Sequence, residues 1–105
     1  MALIDAIQLV EEKLDPEKLQ GMTASYQFML SGDEGGNFYL ELESGRGAPE
    51  EGTLEDPDLT VSVDIADFLG LLKGELNPMT AFMSGKIKVE GDMTLAMKLQ
   101  KVIGK

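Results

Sequence analysis

The chain has 105 residues, 19 acids against 9 bases for a net charge of −10, and neither cysteine nor histidine. That length accommodates one domain, spanning 1–105, and 43% apolar with 27% charged residues is the balance of a folded globule rather than a disordered tail. So acidic a chain lacks the basic stripe of a nucleic-acid binder, and the missing residue types exclude disulfides, thiolate nucleophiles and the commonest general base and metal ligand.

Residues 2–14 place Leu3, Ile7, Val10 and Leu14 at helical spacing, with Asp5, Glu11, Glu12 and Lys13 on the other side. Asp15-Pro16 then predicts a new helical turn reaching Gln20, Asp as cap and Pro at the first position. From Met22 the period becomes two: Met22, Ala24, Tyr26, Phe28 and Leu30 alternate with polar residues, as in a half-buried strand. The turn-rich run 32–37 leads into Phe38, Leu40 and Leu42, alternating with Tyr39, Glu41 and Glu43, which predicts an antiparallel hairpin. Residues 44–58 hold three glycines, two prolines and five acids, so a strand here is short and lies at an edge.

Leu59, Val61 and Val63 form the next alternation. Asp64 can cap a helix whose Ile65, Phe68, Leu69 and Leu72 share a face, ending at Gly74. Asn77-Pro78 starts a short helix carrying Met79, Phe82 and Met83, stopped by Gly85. Ile87 and Val89 give a last strand, and Gly91-Asp92 turns into a terminal helix reaching about Ile103. The order predicts an α+β fold, with helices on one face of a mainly antiparallel sheet.

The terminal helix asks for more than a sheet to pack on. At 100° steps Leu95, Ala96, Leu99, Val102 and Ile103 fill one arc, and Met93 and Met97 extend it past half the circumference. Packing on one sheet needs an arc of little more than about 100°, so this helix wants a second apolar contact. Seven methionines in the chain suit an adaptable apolar surface. Plain core filling, an apolar ligand cavity and a protein-binding groove all fit these residues.

No feature points to catalysis. Asp33-Glu34 and Asp56-Pro57-Asp58 sit in turns, where acids serve local hydrogen bonding; Gly45-Arg46-Gly47 lacks the rest of a dinucleotide fingerprint. No acid spacing matches an EF-hand. No enzyme activity, metal or cofactor is expected. Met1-Ala2-Leu3-Ile4-Asp5 has no basic region of the secretory type, and Ile103-Gly104-Lys105 is not a peroxisomal address, so a soluble cytoplasmic protein is expected.

The run from Asp67 to Met93 resembles the signature of the sterol carrier protein 2 family. Asp67-Phe68, Gly74 separated by two residues from Asn77-Pro78, Ala81-Phe82, Gly85-Lys86-Ile87-Lys88 and Gly91-Asp92-Met93 keep the family's order and spacing, and Leu95–Leu99 is similar to its terminal helix. The resemblance implies a five-stranded sheet covered on one side by helices, enclosing an apolar tunnel. It implies non-catalytic binding of fatty acid, fatty acyl-CoA, phospholipid or sterol, and it leaves a transiently touched membrane or a lipid-metabolising enzyme as partner classes. Phe68, Leu72, Met79, Phe82, Met83, Met93 and Met97 would line the tunnel. Sterol binding itself depends on cavity shape and is not carried over. Animal members continue past the terminal helix to a peroxisomal signal, whereas this chain stops at Lys105, so the tunnel is expected to be more open at that end. The alternative is an interaction or dimerisation module that kept the fold without lipid carriage.

Charge is unevenly spread. Residues 86–105 carry five lysines and two acids, against a net −13 for residues 1–85. Lys98, Lys101 and Lys105 recur on the polar strip of the last helix, where they would meet an anionic headgroup or membrane surface. Lysines there also complement the helix dipole.

Overall fold

The computed structural model describes residues 2–14, 17, 19 and 21–103, the last four without their side chains. The elements are α1 (Ala2–Lys13), β1 (Ala24–Ser31), β2 (Gly36–Leu42), β3 (Pro49–Glu51), β4 (Leu59–Asp64), α2 (Ile65–Leu72), α3 (Pro78–Met83), β5 (Ile87–Gly91) and α4 (Met93–Ile103). The helical restart predicted at Asp15-Pro16 lies outside the described residues.

The strands form one sheet in the order β3-β2-β1-β4-β5. β1–β2, β2–β3 and β4–β5 pair antiparallel, while β1 and β4 run parallel, with Tyr26 opposite Leu59 and Phe28 opposite Val61. The sheet is therefore mixed: mainly antiparallel, with one parallel pair at its centre. The period-two alternation defines its inner face. Tyr26, Phe28 and Leu30 on β1, Phe38, Leu40 and Leu42 on β2, and Leu59, Val61 and Val63 on β4 are all buried. Phe28 and Phe38 stack with ring centroids 4.5 Å apart, and Phe68 of α2 closes over both at 5.6 and 5.9 Å. This aromatic trio ties helix to sheet at the centre of the core.

The parallel pair requires the chain to cross from β3 at one edge back past β1. Segment 52–58 makes this passage on the face opposite the helices, where Gln27 points by alternation from Tyr26 and Phe28. The Gln27 amide is only 3% exposed. It donates to the carbonyls of Phe38 at 3.0 Å and Gly52 at 3.1 Å and accepts from the Leu54 N–H. The crossing ends at Asp58, beneath Gly91. Gly91 has φ 117°, and a β-carbon there would stand 2.3 Å from the Asp58 carbonyl oxygen, so only glycine lets β5 close against the start of β4.

Candidate functional site

Two short helices stand over the β4–β5 side of the inner face. Asn77 caps α3, its Oδ1 accepting from the N–H groups of Met79 at 2.9 Å and Thr80 at 3.1 Å, with Pro78 at the first position. Asp92 does the same for α4, accepting from Thr94 N–H at 2.9 Å. α3 buries only Ala81 among its six residues. α4 is anchored by Leu99, 5% exposed, with Leu95 and Ala96 packed against the core.

Between these helices and the sheet lies a cavity of about 170 Å³. Val61, Ile87 and Val89 form its floor, Pro78, Met79 and Phe82 one wall, and Met93, Ala96, Met97 and Leu99 the other. None of these side chains carries a hydrogen-bonding or titratable group beyond the weak thioether sulfurs. The cavity opens to solvent at the helices: Met79, Phe82, Met93 and Met97 are 53%, 45%, 50% and 68% exposed. Such a site can sequester apolar matter, but holds no group for acid–base or nucleophilic work. Among the described residues no group of acids could hold a metal, and no helix is long and apolar enough to cross a membrane.

Of the residues expected at a tunnel, Met79, Phe82, Met93 and Met97 converge on this cavity. Phe68 and Leu72 do not: they are 0% and 2% exposed in the main core, where α2 packs on β1 and β4 and Phe68 closes on Phe28 and Phe38. Met83 does not either. It shares the apolar side of α3 but turns about 100° from Phe82 and is 79% exposed. Val61, Ile87, Val89, Pro78, Ala96 and Leu99 were not anticipated; alternation and helical phase marked most of them as inward-facing, without indicating that space remained there.

Lys98 is exposed, and its helical phase turns it about 140° from Met93 and about 100° from Met97. It stands beside the mouth rather than in it. The Lys101 side chain and Lys105 lie outside the described residues. Lys86 and Lys88 border a second, open and more polar hollow behind β5, with Met29, Ser62 and Asp64. Tyr26 lies outside the cavity lining, its pKa raised to about 12 by burial and then by Asp58 and Asp92.

The sequence model of the SCP-2 sterol transfer family matches residues 4–104. The chain belongs to that family. Hydroxysteroid dehydrogenase-like protein 2 of Xenopus tropicalis is 39% identical over 103 residues, which are 97% of this chain but 25% of that protein. The chain thus spans about a quarter of the length of such relatives. Among solved structures, sterol carrier protein 2 like 2 from Aedes aegypti superposes with a TM-score of 0.83 at 26% identity, covering 98% of this chain and 97% of that one. A palmitated form of SCP2L2 from the same mosquito gives 0.75 at 26% identity, covering 99% and 93%. The five-stranded α+β architecture is that of the SCP-2 family.

Proposed function

We propose that this SCP-2 domain binds and transfers lipids without catalysis, taking the acyl chain of a fatty acid, fatty acyl-CoA or phospholipid between α3 and α4. The observation that carries this reading is the cavity lined by apolar side chains, open between two methionine-bearing helices. The likeness to a palmitated relative supports it. A cavity of roughly 150 Å³ holds a benzene-sized guest, so the 170 Å³ here suits a section of flexible chain better than a rigid four-ring sterol nucleus.

Magnitudes sharpen the point. About six methylenes at ~0.8 kcal/mol each give roughly 5 kcal/mol gross, which the loss of ligand freedom, several kcal/mol, nearly cancels. Micromolar binding needs about 8 kcal/mol net, so with about 5 kcal/mol lost on binding the ligand must bury roughly sixteen methylenes at ~0.8 kcal/mol each. The ligand must therefore lie along the α3–α4 groove as well as inside it, with those helices parting around it. The methionines make this inexpensive, because their unbranched side chains refit to a new surface. Delivery is to a lipid-metabolising enzyme or a membrane. The dehydrogenase-like relatives, in which the matching region is one quarter of a longer protein, favour an enzyme as one of the recipients.

Native mass spectrometry of the purified protein, followed by organic extraction, tests the reading. A fatty acid or phospholipid at near one per chain, displaced by a fluorescent fatty acid, is the expected result. Ala96→Phe, which puts a ring into the cavity wall, should then weaken uptake at least tenfold. A stable dimer with no recoverable lipid and no uptake would instead mark the α3–α4 face as a protein interface.

A further inference from the structure

The two edges of the sheet are built differently. β3 has three residues, Pro49–Glu51, a proline without an N–H and two acids, features that discourage further pairing. β5 is longer, Ile87–Gly91, and lies at the other end of the strand order. One contact fixes its hydrogen-bonding sense. The Asp92 N–H donates to the Asp58 carbonyl at 3.0 Å, in a register that sets Gly91 opposite Leu59 and Glu90 opposite Thr60. Antiparallel strands exchange bonds at every second pair, so Lys88 and Glu90 bond to β4, while Ile87, Val89 and Gly91 turn their N–H and C=O groups to the open edge.

Charge along β5 says what fits that edge. Ile87 and Val89 form the cavity floor, so Lys88 and Glu90, both exposed, stand on the opposite sheet face. Across β4 they meet Ser62 and Thr60, neither of them charged. Turned half a revolution about an axis beside Val89 and normal to the sheet, a second β5 lies antiparallel to the first. Val89 then faces Val89, Ile87 faces Gly91, and each Lys88 stands opposite Glu90 of the other copy. Opposite charges directly across a strand pair stabilise it. The backbone agrees, because the residues that face each other in this register include the three with outward bonding groups, enough for about six hydrogen bonds. The same axis keeps the helices of both copies on one face. α3 and α4, which contact β5, come alongside their counterparts there, and their exposed methionines gain a second apolar neighbour.

We propose that two copies of this chain pair edge to edge through β5, with Val89 beside the two-fold axis, joining two five-stranded sheets into one. In physiological salt, exposed charges more than about 8 Å apart are largely screened. The contacts at the edge, rather than the net −10 of each chain, therefore decide the association. The pairing does not depend on the lipid reading, which fluorescent fatty-acid uptake reports separately.

Sedimentation equilibrium in physiological salt is the test. The unaltered chain should form dimers. Lys88→Glu and Glu90→Lys each set like charges face to face, and each should weaken the dimer at least tenfold. Mixing the two variants should restore it, since their strands then present opposite charges at both positions. Combining both changes in one chain should restore it too, which also shows that the altered edge still folds. A chain that stays monomeric, a dimer that neither variant weakens, or variants that ignore each other when mixed would overturn the proposal. So would growth past a dimer, which would pair the β5 lysines with the β3 acids of another copy. A dimer that only Met83→Glu dissolves would overturn it as well, placing the contact on the helices without the strand.

Discussion

Gln27 Oε1 accepts the backbone N–H of Leu54 at 2.6 Å, joining the middle of β1 to a segment 27 positions further along the chain. Its Nε2 meanwhile donates to the Gly52 carbonyl at 3.1 Å and the Phe38 carbonyl at 3.0 Å. One buried amide thus holds the crossing segment under the sheet, and without that crossing β4 could not run parallel beside β1.

Gln27→Met keeps the shape and removes every one of these bonds. Stranding the Leu54 N–H and the Gly52 carbonyl should cost on the order of 3 kcal/mol, seen in thermal unfolding as a fall in Tm of roughly 10–20 °C. Gln27→Glu should be worse at neutral pH, since a buried carboxylate still accepts from Leu54 but faces two carbonyls it cannot donate to. Its folded state would favour the protonated acid, so stability should recover as pH falls. An unchanged Tm in both variants would mean that the crossing is held by other contacts.

Tyr26 sets a limit at the alkaline end. Burial, then Asp58 and Asp92, raise its pKa from 10.0 to about 12. In the unfolded chain the phenol ionises near 10, while the folded chain keeps its proton to about 12. Its contribution to stability is therefore intact below pH 10 and declines as pH rises from 10 toward 12. Tyr26→Phe should flatten this decline in denaturant titrations. Near pH 7 it should cost less than about 1 kcal/mol, because the hydroxyl's contact is a 4.0 Å approach to the Met22 sulfur. Parallel declines in the two proteins above pH 10 would show that other groups carry the alkaline loss.

Alternation and helical phase were readable because they mark which side of an element faces inward, and Asp64 and Asn77 cap α2 and α3 as their residue types predicted. The parallel pairing of β1 with β4 was not readable, since an inward-facing period of two is the same in either direction. Nor was the division between core and cavity. Phe68 and Phe82 have equal claims by spacing, yet Phe68 closes on Phe28 and Phe38 while Phe82 stands at an open mouth, 45% exposed. The difference lies in what each helix finds opposite it on the sheet, which depends on connections and on all neighbours at once.

The Asn77 cap links local structure to ligand kinetics. α3 has six residues and one buried side chain, so the two bonds from Asn77 Oδ1 are a large part of what holds it. Asn77→Ala should cost about 1 kcal/mol of stability. Because α3 forms one wall of the cavity, the same change should speed release of a bound fatty acid by at least threefold in stopped-flow displacement. Equal release rates would separate the motion of α3 from the exit of ligand.

The composition of the cavity leads to a prediction about ligand choice. No side chain from Val61 to Leu99 in its lining can donate a hydrogen bond or carry a charge, so nothing there recognises a carboxylate. The polar end of the ligand must remain at the mouth, in water or near Lys98 beside it. A fatty acid, its methyl ester and the corresponding alcohol of equal chain length should then bind within about threefold of one another, whereas a headgroup held by a buried charge-assisted bond would differ by roughly tenfold or more. Chain length should matter instead. Each added methylene buried along the α3–α4 groove contributes about 0.8 kcal/mol at most, so affinity should climb steeply from about eight carbons to about sixteen and then level off where the groove ends. Isothermal titration across both series checks this. A preference of tenfold or more for the acid over its ester would show that a polar partner reaches the headgroup, and a plateau at about six to eight carbons would show that α3 and α4 do not part.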